Sequence, residues 1–117
     1  MTKRAKWEQR QGAWVFRLPA RLGAELEDAA LPGLDRAFSR PVRSIIVDFS
    51  RAIFGDSDAV GVLVDLVRRA QEKKVPVYFA EMRGQPELII ERLGISRHAR
   101  RADTVEKALE EEPAGDS

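Results

Sequence analysis

In Phe54-Gly55-Asp56-Ser57-Asp58 a serine stands between two aspartates, after an apolar run and directly ahead of a segment of helical period. Three chemistries fit that arrangement. The hydroxyl could be a nucleophile, it could accept a phosphoryl group, or Asp56 or Ser57 could simply cap the helix. A nucleophilic serine needs a base within hydrogen-bond reach, usually histidine. The chain has one histidine, His98 in "GISRHARR", and no asparagine for an oxyanion contact. Metal chemistry is equally poorly supplied. Asp56 and Asp58 flank Ser57 rather than stacking at helical spacing with Asp65, and no second histidine or cysteine completes a ligand set. No glycine-rich phosphate loop with a lysine occurs. The expectation is a protein that is not an enzyme, with no catalytic residue, no metal and no cofactor.

Two further features bear on catalysis and binding. "FGDS" superficially resembles the nucleophile block of the GDSL esterase family, but that family has an aspartate three residues before its histidine, and Ile95 stands there. "RHARR" is a basic patch without interleaved aromatics in a chain of net charge +1. It reads as a solvated face, with His98 on the surface, and nucleic acid is not expected as a partner. The phosphoryl reading has a physical basis. A helix N-terminus presents free amides and a positive partial charge, so it stabilises an anion placed there. A phosphate on Ser57 would add roughly −1.5 to −2 charges at the end of the helix that tolerates them. On these grounds alone a plain cap is the simpler reading.

The elements that must position Ser57 are legible around it. "AKWEQRQGAWVFRLP" has two strand-like runs about Gly12, with Pro19 ending the second. From Gly23, Leu26, Ala29, Ala30, Leu34, Ala37 and Phe38 recur at helical spacing. Pro32 and Gly33 interrupt that face, which predicts a kink or a first turn followed by a second helix. "RSIIVDFS" reads as a strand covered on both faces. "DAVGVLVDLVRRAQEKK" reads as a helix with Val60, Leu63, Val64, Val67 and Ala70 buried, its last turn rich in cations that complement the helix dipole. "VPVYFAEM" is a further strand. "QPELIIERLG" is a short helix with Pro86 in its first turn and Gly94 as stop signal. A weak strand near 101–104 leads to a last helix, "DTVEKALEEE", capped by Asp103 or Thr104 with Val105, Ala108 and Leu109 inward.

Alternation of strands and helices predicts an α/β fold: one domain with a mixed sheet of four to five strands and about four helices. Its core is expected over about residues 5–112, with 113–117 a frayed tail. At 117 residues and 44% hydrophobic the chain can bury a real core. No signal peptide or membrane-length apolar run is evident. The absence of cysteine is compatible with a reducing compartment, so a cytoplasmic location without membrane insertion is expected.

"SIIVDFSRAIFGDSDAVGVLV" resembles the central block of STAS domains, the bacterial anti-anti-sigma (anti-sigma factor antagonist) family. There a strand and an aspartate-containing turn lead into Asp-Ser-(Ser/Thr)-Gly-(Leu/Ile)-Gly and a helix. The likeness lies on Val47, Asp48, Phe54, Asp56, Ser57, Val60, Gly61 and Leu63. Leu93-Gly94-Ile95 is similar to the end of the family's later helix, and "TVEKALEEE" to its closing helix. The resemblance covers roughly residues 10–112 and implies a STAS-like fold. It implies a non-enzymatic regulatory protein with Ser57 as phosphorylation site and Asp56, Ser57, Asp58, Val60 and Gly61 as partner-binding residues. The implied partners are an anti-sigma factor, a serine kinase of the histidine-kinase-like ATPase type that supplies ATP and magnesium, and a cognate phosphatase. The same resemblance also allows a constitutive subunit bound to the transporter ATPase of a lipid-transport ABC complex, or part of a stress-signalling scaffold. Two departures stand out. Asp58 and Ala59 replace the usual Ser/Thr-Gly, and Pro19-Ala20-Arg21-Leu22 replaces the Gly-Glu-Leu-Asp-like segment after the second strand.

Overall fold

Apolar runs too short for helices build the centre of the sheet. In the structure, a computed structural model, residues 6–23 and 26–111 are described, with the backbone alone for Asp28, Ala29, Leu31, Ser57 and Ser96. The expected tail at 113–117 lies outside the described residues. Strands β1 (Lys6–Arg10) and β2 (Ala13–Arg17) form an antiparallel hairpin. Its two-residue turn places Gln11 and Gly12 at φ 52° and 82°, as a tight hairpin requires. Strands β4 (Ile45–Asp48), β6 (Val77–Ala80) and β7 (Arg100–Ala102) continue the sheet in parallel, giving the order β1-β2-β4-β6-β7. Every residue of β4 and β6 is buried, as expected for strands covered on both faces.

One face carries the larger core. There Phe16, Ile45, Val47 and Phe79 meet Leu26, Ala30 and Leu34 of α1 (Leu26–Ala37) and Leu63 and Leu66 of α2 (Ser57–Glu72). Helix α3 (Gln85–Leu93) adds Ile90 and is followed by a single 3-10 turn, Ile95–Arg97. The opposite face is covered by α4 (Val105–Glu110), whose Val105, Ala108 and Leu109 pack on Val15, Ile46 and Tyr78. Thr104 caps α4 by accepting from the Lys107 amide at 3.0 Å, and Gly94 ends α3 at φ +73°.

Three expectations are corrected. Of the two outcomes expected at Pro32, a division into two helices is overturned: α1 runs unbroken from Leu26 to Ala37. The ring is exposed, and the stripe of Leu26, Ala30, Leu34 and Ala37 stays buried on the sheet, outweighing the one helical hydrogen bond that proline removes. Gly33 has its own reason. A Cβ there would lie 2.0 Å from the Trp7 indole nitrogen, so the ring of Trp7 occupies the space a side chain would need. Trp7 in turn stacks on Phe16, with centroids 4.5 Å apart. The buried stripe of α2 also differs from the expected one. Ala59, Val62, Leu63, Leu66, Val67 and Ala70 face inward, while Val64 is 44% exposed. Finally, two two-residue strands escaped the pattern: β3 (Arg21–Leu22) and β5 (Ile53–Phe54) pair in parallel as a second small sheet.

Candidate functional site

The start of α2 is fixed by a chain of backbone constraints that begins at the end of β4. Asp48 is buried, accepts from the Ser50 amide at 2.8 Å and takes a longer contact from the Arg17 guanidinium at 3.4 Å. This turns the chain out of the main sheet. The Ile53 amide then donates to Ala20 O, and the Gly55 amide to Leu22 O at 2.7 Å. On its other side β5 has no strand neighbour among the described residues, and Gln85 serves instead. Its Oε1 accepts from the Phe54 amide at 2.7 Å and its Nε2 donates to the Phe54 carbonyl at 3.0 Å. One side chain thus supplies both hydrogen bonds that a neighbouring strand would give.

Asp56 follows as N-cap, extended at φ −155° and ψ 173°. Its Oδ1 accepts from the amides of Asp58 at 3.0 Å and Ala59 at 3.3 Å. Both cap bonds fall on the same oxygen, and Oδ2 takes none among the described residues. The cap is therefore Asp56, and Ser57 is the first residue of the helix. Asp56→Ala should lower stability by about 1 kcal/mol, measured by urea unfolding. An unchanged midpoint would mean that the cap bonds contribute nothing.

The other expected site residues lie on the same helix start. Asp58 is exposed in the first turn, where its charge suits the helix dipole. Val60 is half-buried and packs against the core, and Gly61 is exposed. A Cβ built on Gly61 meets no atom within 4 Å. The fold thus has no steric use for a glycine there, although glycine in a helix interior costs about 1 kcal/mol relative to alanine. Three residues before Asp56, Ile53 on β5 is 55% exposed.

Two contributors were not visible in the sequence. Gln85 reads only as the residue before a helix-starting proline. Arg21 lies over Gly55, and a Cβ on Gly55 would come within 2.9 Å of both its Nε and the Leu22 carbonyl. Gly55, though exposed, leaves room for the Arg21 side chain and the Leu22 carbonyl where a Cβ would stand. His98, expected on the surface, is exposed, with its Nδ1 3.0 Å from Gln71 Nε2. Farther along α2, Asp65 bonds Arg68 at 2.8 Å and Arg69 at 3.0 Å. The Arg68 hydrogen bond, with the charge of both arginines, holds its carboxyl below the usual range against the opposing effect of partial burial. Among the described residues no group of three or more His, Asp or Glu is placed to hold a metal ion. None of their helices is long and apolar enough to cross a membrane.

Solved structures share this architecture. An anti-sigma-factor antagonist (STAS) domain protein from Planctomyces limnophilus superposes with a TM-score of 0.75 at 16% identity, covering 90% of this chain and 93% of that one. The Bacillus cell fate determinant SpoIIAA in its phosphorylated form gives 0.72 at 21% identity, covering 90% and 96%. The anti-sigma factor antagonist SpoIIAA in its unphosphorylated form gives 0.70 at 19% identity, covering 89% and 92%. At these identities the likeness is one of fold. No curated protein matches the sequence. The family model described as STAS domain matches residues 4–108, nearly the whole chain, and the protein belongs to the STAS domain family.

Proposed function

We propose that the protein is a non-enzymatic regulatory module of the anti-sigma factor antagonist kind, which binds its partner through the start of α2 and is switched by phosphorylation of Ser57. The observation that carries this reading is Gly61. An exposed mid-helix glycine above open space, one turn from Ser57, costs folding stability and leaves a flat patch where a partner can approach the backbone. Asp56, Asp58 and Val60 border that patch, and Ile53, three residues before Asp56, offers an apolar anchor. The SpoIIAA fold is recorded in phosphorylated and unphosphorylated forms, which supports such a switch on this scaffold.

In the proposed transfer, the Ser57 oxygen forms a bond to the γ-phosphorus of ATP held by the kinase. The bond from that phosphorus to ADP breaks, and the hydroxyl proton leaves to a carboxylate. Asp56 Oδ2, which takes no cap bond, is one acceptor within the module. The product places about −1.5 to −2 charges at the helix start, where the dipole tolerates them and a fitted partner does not. Two neighbours act in opposite senses. Asp58 repels each unit of the phosphate's charge by roughly 3 kcal/mol at about 6 Å and an effective dielectric of 20, and by under about 1 kcal/mol in water. Arg21, folded over Gly55, offers a compensating cation where the family commonly has an acidic segment.

The test is incubation with a candidate anti-sigma kinase and ATP. One phosphoryl group should appear by mass spectrometry, be absent in Ser57→Ala, and be removed by a phosphatase. Ser57→Asp should weaken partner binding at least about tenfold with little change in thermal stability. A Ser57→Asp variant that binds normally would sink the switch. Asp58 favours one second reading, a constitutive subunit of a transporter complex or scaffold, because a permanent charge beside Ser57 makes a second one costlier. A stable complex with a transporter ATPase and no phosphate gain with the physiological kinase would select it.

A further inference from the structure

Helix α2 presents a second surface farther along. Its Val60, Val64 and Val67 form one wall of a groove of about 760 Å³ whose other wall is Leu93 and Ile95, from the end of α3 and the 3-10 turn. Val64 and Leu93 are 44% and 54% exposed, although both are apolar and face a concave surface. The rim is basic. Arg68 is paired with Asp65 and Glu91 with Arg101. Arg92 and Arg97 are then the lining charges left without an ion pair among the described residues. At one end the Gln71–His98 hydrogen bond ties α2 to the segment after the 3-10 turn, which holds the two walls together.

We infer that this groove seats an acidic amphipathic helix of a partner protein. From Val60 to Gln71 the wall on α2 runs about 16 Å, or three helical turns. Apolar side chains at i, i+3, i+4 and i+7 of a docked helix could lie between Val64 and Leu93. Glutamates or aspartates on its flanks would meet Arg92 and Arg97. Two alternatives fit less well. A small amphiphile is normally enclosed over most of its surface, and this groove is open along its length between two half-exposed residues. A second copy docking through the same groove about a two-fold axis would bring Arg92 and Arg97 against their own equivalents. The inference does not rest on Ser57. The groove shares only Val60 with the proposed partner patch, otherwise lies farther along α2, and would give the partner a foothold that outlasts phosphorylation.

A helix-stapled peptide of about fifteen residues, leucine on one face and glutamate elsewhere, tests it against the full chain. Saturable binding should appear in fluorescence anisotropy, with NMR shift changes at Val60, Val64, Leu93 and Ile95. Arg92→Ser combined with Arg97→Ser should weaken binding at least about tenfold, and a lysine-for-glutamate peptide should bind at least as poorly. Val64→Gln, a surface change that keeps the fold, should weaken it as well. Ser57→Asp should leave peptide binding unchanged, so failure here and failure of the phosphoswitch are separate results. Wild-type affinity in the double arginine variant, shift changes confined elsewhere, or no saturation would overturn the inference. So would displacement of the peptide by laurate, which would mark the groove as an amphiphile site, or self-association through these residues.

Discussion

Gly33→Ala is expected to destabilise the protein by about 2 kcal/mol, lowering the midpoint of thermal unfolding by about 8 °C. The sign is the informative part, because alanine is the better helix former by about 1 kcal/mol. Position 33 lies inside α1, yet its Cβ would sit 2.0 Å from the Trp7 indole nitrogen and 2.1 Å from the neighbouring ring carbon. Trp7 cannot give way freely, since it stacks on Phe16 and meets Trp14 edge-on at 6.3 Å. Gly61→Ala is the control in another helix. With no atom within 4 Å it should stabilise by about 1 kcal/mol, and it should weaken the proposed partner complex. A double-mutant cycle with Trp7→Ala localises the first effect, because without the indole Gly33→Ala should become neutral or favourable. Equal stabilisation by both glycine substitutions would show that Trp7 does not occupy the space above α1.

Removing the Gln85 side chain as Gln85→Ala should cost about 2 kcal/mol, since it leaves the Phe54 amide and carbonyl without the one lateral partner they have among the described residues. Both groups are partly buried, so water replaces the lost bonds incompletely. The loss should also be local. Hydrogen exchange at the Phe54 amide should accelerate strongly, while amides of β4 and β6 change only by the global destabilisation. Gln85→Glu separates packing from hydrogen bonding. It preserves size and the acceptor but removes the donor and sets a carboxylate against the Phe54 carbonyl, so it should perform no better than alanine at neutral pH. Unchanged protection at Phe54 in Gln85→Ala would show that β5 is held by β3 alone.

The sequence made the main sheet and helices legible because their signals are local. Ile45-Ile46-Val47 is a strand on its face, and Gly94 stops α3 by a conformation that glycine favours. The cap was legible only to the level of Asp56 or Ser57, since either oxygen can serve and local geometry decides. Signals that depend on distant partners stayed hidden. Strands β3 and β5 have two residues each, too few for any period, and exist through pairing across the chain. Gly33 read as a helix breaker because its partner Trp7 lies on another element. Val64 fits a helical stripe by spacing, yet α2 is rotated so that Val62 and Leu66 take the inward positions. At the candidate site, spacing and resemblance supplied Asp56, Ser57 and Gly61, whereas Arg21 and Gln85 emerged only from the folded chain.

Phe54 is paired with Leu22 on one side and with Gln85, 31 residues later, on the other. The segment that delivers Ser57 is therefore assembled from three distant parts of the chain, and none of them can create it alone. A nascent or damaged copy would carry Ser57 without the surroundings that present it. Under the proposed switch, competence for phosphorylation would then double as a readout of structural integrity, since only a finished molecule would offer that hydroxyl to a kinase.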